Sequence, residues 1–336
     1  MEKFVTRAAR LNKAYDIELI ERELVCGEDD IIVKNHKMGI CGSDKSFYRG
    51  FMPPQTAEFR QPPEFPFLLG HESGGTVVAV GSRVSDYKVG DKVMAFGWNN
   101  NFADYFKAKA FQLQPVPEGL DMDIAALGEP TACAMYSGLN TGVQLGDTVV
   151  VMGIGPIGLM AVEGARLKGA ARILAVGTRP VCVSLAKEFG ATEVLSYRDG
   201  DLVKQVMERT GGVGADSVIL CGGGDEAFAQ AFDMVRYGIG TVSNVNYFGG
   251  TGNLPFPKFS GGRGMAGKTL RTELARGGRA RIERMMKMVQ YGRIHPEKLI
   301  THTLEGLDKI EEALYLMKEK PQDLVKVMVK INWERQ

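Results

Sequence analysis

The chain has 336 residues, enough for two domains, and its apolar and charged fractions are those of an ordinary globular protein. Its 41 basic and 40 acidic residues nearly cancel, so we expect neither nucleic acid nor an anionic membrane surface as a partner. The five cysteines are scattered and odd in number, which argues against a disulfide framework. The N-terminus has no signal-peptide core and no apolar run approaches the length of a membrane span, so we expect a cytoplasmic protein.

The first part of the chain, up to about residue 138, reads as a β-rich domain. Four runs of β-forming residues are bounded by Gly, Asp and Pro, as short strands usually are. They are Ile31–Asn35, Gly75–Gly81, Asp91–Phe96 and Phe102–Ala108. This pattern predicts a compact, β-barrel-like domain. Five prolines lie between Tyr48 and Pro66, and we expect a loop there.

A nucleotide-binding pattern begins at Thr148. An apolar run to Met152 is followed by a G-x-G-x-x-G turn, an amphipathic segment and a second apolar run, Ile173–Val176. This is the strand–turn–helix–strand context that the motif requires, and its glycines let the backbone approach a pyrophosphate at the helix N-terminus. We therefore expect a dinucleotide site rather than an ordinary tight turn. The turn residues assigned to it are Gly153, Gly155, Pro156 and Ile157.

The end of the second strand of this motif indicates which dinucleotide binds. An NAD site usually carries Asp or Glu there, which binds the ribose hydroxyls. Here the residues are Gly177, Thr178, Arg179 and Pro180, with no acid among them. An arginine can pair with a 2′-phosphate and a threonine can donate its hydroxyl. The segment favours NADP(H), although a solvent-exposed arginine after a strand would look the same.

Residues 140–270 continue this alternation of strands and helices, which implies a parallel sheet with helices on both faces. The remaining strand candidates are Val194–Ser196, Ser217–Leu220 and Thr241–Asn244. The pattern then turns helical at Arg281–Tyr291 and Leu307–Lys318 and closes with an apolar strand, Val325–Ile331. We predict an α/β protein with a first domain at 1–139, a Rossmann domain at 140–274, and a segment at 275–336 that returns to the first domain.

Three separate segments of the first domain carry side chains that Zn²⁺ accepts as ligands. They are Cys41, the pair His71-Glu72, and Glu129. Ligands on separate loops make no local motif, so Cys41 taken alone is more typical of a small buried hydrophobe, and His71 is as typical of a structural histidine as of a ligand. The chain has only four histidines, and this one stands beside an acid between glycines. Together with the dinucleotide site, this favours a metal centre.

These motifs resemble the zinc-dependent medium-chain alcohol dehydrogenases, and more specifically the NADP-dependent secondary alcohol dehydrogenases. The matching segments are G-H-E-x-x-G at Gly70–Gly75, G-D-x-V at Gly90–Val93, Met152–Val162, Ala175–Val183, Asn244–Gly249 and the tail from Gly277 to Lys326. The resemblance implies a GroES-like β-barrel catalytic domain, a Rossmann cofactor domain and a homotetramer.

The resemblance also implies roles for single residues around the metal. Cys41 and His71 match zinc ligands, while Glu72 matches an acid that ligates directly or acts from outside the ligand set. Glu129 matches a position that holds Asp in the secondary alcohol dehydrogenases and Glu in the sorbitol dehydrogenase branch. Ser43 matches the hydroxyl that relays the substrate proton toward solvent.

Further positions are expected near the cofactor and substrate. Gly177, Thr178, Arg179 and Tyr197 match the group around the NADP 2′-phosphate, and we assign Asn246 and Tyr247 to cofactor binding as well. Asp44, next to Ser43, either positions its loop or caps a helix. The last expectations are that Phe96 and Trp98 line the substrate cleft, with a solvent-shielding core tryptophan as the alternative, and that Leu274 faces the nicotinamide.

One departure from the family concerns a second metal. Many members hold a structural zinc with four closely spaced cysteines just after the G-D-x-V segment. The corresponding stretch here, Met94–Phe102, contains no cysteine. We therefore expect one catalytic zinc and no structural zinc.

The function implied by the resemblance is reversible interconversion of a secondary alcohol and its ketone by hydride transfer with NADP(H). Small secondary alcohols, polyols and bulky ring ketones such as steroids all remain open as substrates. A zinc-free quinone or enoyl reductase on the same fold is one alternative, and a catalytically silent NADP-binding protein is another. The retained set of Cys41, His71 and Glu72 argues against both.

Overall fold

The structure is a computed structural model that describes residues 2–51, 64–97, 100–139, 142–246, 254, 267–272 and 278–333. Contacts divide the chain into two compact units. The first comprises Met1–Pro130 and Gly277–Gln336, and the second comprises Thr131–Arg276.

The first unit is built on two β-sheets. One is a hairpin of β1 (Lys3–Lys13) and β2 (Asp16–Val25) with the short β4 (Phe67–Leu68) on the other side of β1. The seven strands of the other are β3 (Ile31–Gly39), β5 (Ser73–Val80), β6 (Lys92–Ala95), β7 (Tyr105–Ala108), β8 (Leu113–Pro115), β15 (Ile300–Glu305) and β16 (Lys326–Lys330). The order is β15-β16-β3-β5-β6-β8, and β7 also pairs with β3. The C-terminal strand β16 therefore joins the sheet beside β3.

Helices and a buried core complete this unit. The helices are α1 (Gly42–Tyr48), α2 (Met122–Ala126), α8 (Gly278–Gln290) and α9 (Ile310–Glu319), with 3-10 turns at Ala110–Gln112, Pro296–Leu299 and Leu307–Lys309. One core cluster joins β1, β3, α9 and β16 through Leu11, Met38, Leu314 and Val329, all of which are buried. Removing such side chains from water is the main stabilising contribution to the unit. Helix α3 (Gly128–Leu139) contains the boundary between the two units.

The second unit is a doubly wound parallel sheet. Its strands are β9 (Thr148–Met152), β10 (Arg172–Val176), β11 (Glu193–Leu195), β12 (Ser217–Leu220), β13 (Thr241–Asn244) and β14 (Thr269–Thr272). The described helices between them are α4 (Pro156–Leu167), α5 (Pro180–Glu188), α6 (Leu202–Arg209) and α7 (Asp225–Met234). The order β11-β10-β9-β12-β13-β14 is the 3-2-1-4-5-6 arrangement of dinucleotide-binding folds, whose ligands bind at the carboxyl ends of the strands where the order reverses.

The predicted α/β fold class is confirmed, and three predicted strands have the observed bounds: β9, β12 and β13. The N-terminal hairpin differs from the expected short strands, since β1 has 11 residues and β2 has 10. Its exposed positions carry charged cross-strand pairs, such as Arg10 with Glu18, so apolar runs do not reveal it. Most of the predicted 48–66 loop lies outside the described residues. Among the described helices, none has both the length and the apolarity to cross a bilayer.

Candidate active site

The Cys41 side chain is fixed at the beginning of a helix. Strand β3 ends at Gly39, and Cys41 is the N-cap residue of α1. The Asp44 carboxylate accepts a hydrogen bond from the backbone N–H of Cys41, with 2.9 Å between N and Oδ2. This hydrogen bond satisfies a backbone N–H at the helix start that has no partner within the helix. Of the two roles expected for Asp44, this contact matches the one at the helix start, where Asp44 is the N3 residue that accepts the N–H of the N-cap residue Cys41.

His71 and Glu72 lie directly before β5, which begins at Ser73. The chain reaches them through Gly70, whose φ of +103° is a conformation that favours glycine. A Cβ atom at Gly70 would lie 2.5 Å from the backbone nitrogen of Phe102, so no larger residue fits there without movement. His71 is 6% exposed and Glu72 is fully buried. Both side chains are therefore held in the interior of the unit.

The structure brings Cys41, His71 and Glu72 together. Each offers one ligand atom, and these three atoms lie within 4.8 Å of one another. Ligand atoms that each lie about 2.0–2.3 Å from one zinc ion are separated from one another by less than 4.8 Å. These three atoms would therefore move slightly closer together to bind an ion. The buried Oε1 of Glu72 also has no hydrogen-bond partner among the described residues. A thiol, an imidazole and a carboxylate oxygen in this arrangement fit a zinc ion.

Asp44 also affects which nitrogen of the His71 ring is available to a metal. The Asp44 Oδ1 atom lies 3.3 Å from His71 Nδ1, and Asp44 is fully buried. A proton on Nδ1 facing this carboxylate leaves the lone pair of Nε2 for a metal. Burial alone would lower the pKa of His71, but Asp44 and Cys41 outweigh it and raise that pKa well above its ordinary value. The surroundings thus favour positive charge at this point, which either an imidazolium or a metal ion supplies.

Two further predicted residues lie around this group. Ser43 is half-buried at the start of α1, and its Oγ is 3.5 Å from His71 Nε2, at the outer limit of a hydrogen bond. Glu129 lies in the first turn of α3 and is not a member of the 4.8 Å group. Its carboxylate is nonetheless one of the charges that raise the pKa of Lys326, which contacts Glu72. Lys326 is a buried residue that the sequence does not single out.

The glycine-rich turn of the second unit has the geometry that its motif predicts. Gly155 is the N-cap of α4 and Pro156 follows at the first helical position. Gly153 has φ +88°, and a Cβ there would lie 2.9 Å from the backbone of Gly222. A Cβ at Gly158 would lie 1.8 Å from the carbonyl oxygen of Gly153, so the helix can approach the turn only with glycine at this position.

Two of the residues predicted around a 2′-phosphate, Thr178 and Tyr197, meet because two parallel strands end side by side. Val176 of β10 pairs with Leu195 of β11, and Thr178 and Tyr197 each lie two residues beyond these positions. The Thr178 hydroxyl and the Tyr197 hydroxyl are 3.0 Å apart, and Tyr197 is 56% exposed. Arg179 is the N-cap of α5. A Cβ at Gly177 would lie 2.2 Å from Ile154, which explains a glycine at that position.

The remaining predicted positions divide between described and undescribed residues. Asn246 donates a hydrogen bond from Nδ2 to the carbonyl oxygen of Gly223, at 2.9 Å, and so ties the end of β13 to the loop after β12. Phe96 is half-buried in the first unit. Tyr247, Trp98 and Leu274 lie outside the described residues. Ile157, in the first turn of α4, is half-buried.

Comparison with protein families matches most of the chain. A family model described as "Alcohol dehydrogenase GroES-like domain" matches residues 27–137, and one described as "Zinc-binding dehydrogenase" matches residues 156–290. A crystal structure of (2R,3R)-butanediol dehydrogenase from Bacillus subtilis superimposes with a TM-score of 0.81 at 26% identity, covering 97% of this chain and 100% of that one. The fold and the site thus define a medium-chain dehydrogenase.

Curated relatives give a finer assignment. The chain is 41% identical to an NADP-dependent isopropanol dehydrogenase from Thermoanaerobacter brockii, over 78% of this chain and 84% of the relative. It is 39% identical to the enzyme of the same name from Clostridium beijerinckii, over 92% of this chain and 95% of the relative. The protein belongs to the zinc-binding alcohol dehydrogenase family. Its predicted similarity to the NADP-dependent secondary alcohol dehydrogenases is confirmed.

Proposed function

We propose that the protein is a zinc-dependent, NADP(H)-linked oxidoreductase that interconverts a secondary alcohol and its ketone. The observation that carries this proposal is the convergence of Cys41, His71 and Glu72 within 4.8 Å in a GroES-like unit. Relatives named NADP-dependent isopropanol dehydrogenase support the choice of secondary alcohols and of NADP(H). In this proposal residues 1–139 and 275–336 form the catalytic domain, and residues 140–274 form the cofactor domain.

The metal would be held by Cys41 and His71, with Glu72 and Glu129 as the candidate carboxylate ligands. A bound zinc ion supplies Lewis acidity to the substrate oxygen. Asp44 keeps the His71 ring in the orientation that leaves Nε2 for the ion, because its Oδ1 lies beside Nδ1. We propose one such zinc per chain and no structural zinc, since Met94–Phe102 contains no cysteine.

Proton movement would pass through Ser43. Its hydroxyl lies 3.5 Å from His71 Nε2, at the edge of the candidate metal group, and its side chain is half-buried. A hydroxyl can accept the proton of the substrate alcohol and donate its own proton onward, so it acts as a relay without changing its charge. Ketone reduction would run the same relay in reverse.

The cofactor would bind the second unit with its pyrophosphate at the N-terminus of α4. The residues that would face the pyrophosphate are Gly153, Gly155, Pro156 and Ile157, because the first turn of a helix has backbone N–H groups available to bind an anion. Thr178, Arg179 and Tyr197 would surround the 2′-phosphate, where an acid would repel it. Asn246, with Tyr247 after it, would contact the cofactor beyond β13. Bound NADPH supplies the hydride that the reaction transfers.

Three further properties belong to the same proposal. We propose a homotetramer, a cytoplasmic location and a small-molecule alcohol or ketone as the substrate, without a nucleic acid or membrane partner. Polyols and bulky ring ketones remain candidates within this reaction class. The ligand group of Cys41, His71 and Glu72 gives no support to a zinc-free enone reductase on the same fold.

The proposal is tested by following NADPH oxidation with ketones graded from acetone to a steroid ketone. We expect turnover with one size class, loss of that turnover after zinc chelation, and its return when Zn²⁺ is added. Turnover of enones that persists after chelation would instead support the zinc-free reductase. Absence of NADPH oxidation with every compound would support the catalytically silent binding protein.

A further inference from the structure

A lysine is buried beside the candidate metal group. Lys326, the first residue of β16, is 2% exposed, and its Nζ lies 2.5 Å from Oε2 of the fully buried Glu72. The two residues are separated by 254 positions in the chain. A lysine this deeply buried is uncommon unless it is paired, and it loses both hydration and side-chain freedom when the protein folds.

The strand register explains how Lys326 reaches this position. Met328 of β16 lies opposite Gly39 of β3, and the N–H of Ile40 donates to the carbonyl oxygen of Val327 at 3.1 Å. Lys326 therefore extends along β16 to the level of Cys41, just past the end of β3. It shares a strand face with Met328, which packs on Ala126 and Leu127, close to Glu129 in sequence.

Gly39 leaves the space that the ion pair occupies. A Cβ at this position would lie 2.3 Å from Glu72 Oε2 and 3.2 Å from Lys326 Cε. The backbone N–H of Gly39 also donates to the carbonyl oxygen of Glu72, at 3.0 Å. The φ of Gly39 is not one that requires glycine, so the close approach of the ion pair is the reason that a side chain is excluded here.

The two carboxylate oxygens of Glu72 have different surroundings. Oε2 is bound to Lys326, whereas the buried Oε1 has no hydrogen-bond partner among the described residues. A buried ion pair is weak evidence for stabilisation, because the cost of removing both charges from water offsets their attraction. Stability alone therefore does not explain a lysine placed against one oxygen of an acid that belongs to a candidate ligand group.

We propose that Lys326 is a positioning residue that restrains Glu72 as a zinc ligand. It holds Oε2 and leaves only Oε1 for the metal, and its charge weakens the attraction of the carboxylate for a cation. Glu72 then remains close enough to bind the ion yet can be displaced by a substrate oxygen. This proposal rests on the proposed function, since it assumes that zinc occupies the group of Cys41, His71 and Glu72.

The test compares Lys326→Met with the wild type and with Lys330→Met, a matched change at an exposed position of the same strand. The zinc-loaded proteins are mixed with excess 4-(2-pyridylazo)resorcinol, and the rate of zinc release is followed by absorbance. Without Lys326, the Glu72 carboxylate has the metal as its cationic partner, so release should slow on the order of tenfold. Lys330→Met should release zinc at the wild-type rate.

The double variant Glu72→Gln/Lys326→Met shows whether the lysine acts through the acid. We expect it to release zinc at the same rate as Glu72→Gln, because the neutral amide has no charge for Lys326 to offset. An unchanged or faster release from Lys326→Met, with a lower melting temperature of the zinc-free protein, would show a merely structural lysine and overturn the proposal.

Three further outcomes keep the test decisive. If Lys326→Met does not fold, the comparison of Glu72→Gln with the double variant decides, and different release rates overturn the proposal. A wild-type protein without zinc would overturn both this proposal and the proposed function. A wild type that holds zinc and reduces ketones, with release unchanged by Lys326→Met, would overturn this proposal alone.

Discussion

The Asp44 carboxylate connects the start of helix α1 to the His71 imidazole. Its Oδ2 accepts the backbone N–H of Cys41 at 2.9 Å, and its Oδ1 lies 3.3 Å from Nδ1 of His71. One buried acid thus contacts the backbone of one residue and the side chain of another in the candidate metal group. Because metal ligands are oriented by such partners, the geometry of the group depends on a residue that is not itself a ligand.

Replacing Asp44 with Asn should weaken zinc binding. Asn can still accept the Cys41 N–H, so the cap is kept, but it lacks the charge that holds the Nδ1 proton of His71. We expect zinc affinity to fall about 10–100-fold, measured by chelator competition. Asp201→Asn, which changes the N-cap of α6 without an imidazole nearby, is the control and should leave zinc affinity unchanged. Equal affinities for wild type and Asp44→Asn would contradict this role.

Two glycines of the dinucleotide turn should affect different properties, since Gly158 is needed for stability and Gly155 for cofactor binding. Gly158→Ala places a Cβ 1.8 Å from the Gly153 carbonyl oxygen, so the turn must move and unfolding free energy should fall by about 1–3 kcal/mol. A Cβ at Gly155 meets nothing within 4 Å, and its φ of −74° suits alanine. Gly155→Ala should therefore keep the wild-type melting temperature and lose NADPH affinity, measured by fluorescence titration. An unchanged NADPH affinity in Gly155→Ala would contradict the predicted role of this turn in binding the pyrophosphate.

Arg179 should determine the preference for NADPH over NADH. Arg179→Gln removes the charge expected to pair with the 2′-phosphate, at a cost of about 1.5–3 kcal/mol in NADPH binding. NADH lacks that phosphate, so its affinity should change little. Lys187→Gln, an equal change of charge at an exposed position of the same helix, is the matched control. A loss of affinity that is equal for both cofactors would place Arg179 elsewhere in the binding site.

Stability should depend on pH through His36. Burial, and then Lys34 and Lys92, lower the pKa of His36 in the folded protein, while its Nε2 lies 2.9 Å from the Thr76 hydroxyl. The unfolded chain therefore takes up the proton first. The contribution of His36 is fully present above about pH 6.5 and is lost as pH falls toward the lowered folded value. Urea unfolding below about pH 6.5 should show a steeper loss for the wild type than for His36→Gln. An equal loss of unfolding free energy in wild type and His36→Gln would contradict a contribution from His36.

The cofactor unit could be predicted closely from the sequence because its signals are local. The apolar run Thr148–Met152, the glycine turn and the run at Ile173–Val176 each lie within a few residues of one another, and the parallel pairing follows from the alternation. Gly158 shows what the sequence does not predict. The motif predicts a glycine there, but the contact with the Gly153 carbonyl that requires it is visible only in three dimensions.

The metal group could be predicted only as a set of candidates. Cys41 and His71 are brought together by strands β3 and β5, whose antiparallel register pairs Met38 with Ser73. Spacing along the chain does not encode that register. Lys326 could not be predicted, because a lysine within the apolar run Val325–Ile331 looks like an exposed residue of an edge strand. Its burial depends on β16 joining β3 across most of the chain.

The most direct test of the central claim is the zinc content of the purified protein, compared with Cys41→Ser and with Cys26→Ser as the control. Cys26 donates a weak hydrogen bond to the carbonyl of Asp30 and belongs to no ligand group among the described residues. The account predicts about one zinc per chain in the wild type and in Cys26→Ser, and a large loss of zinc and ketone-dependent NADPH oxidation in Cys41→Ser. Full zinc and full turnover in Cys41→Ser would contradict it.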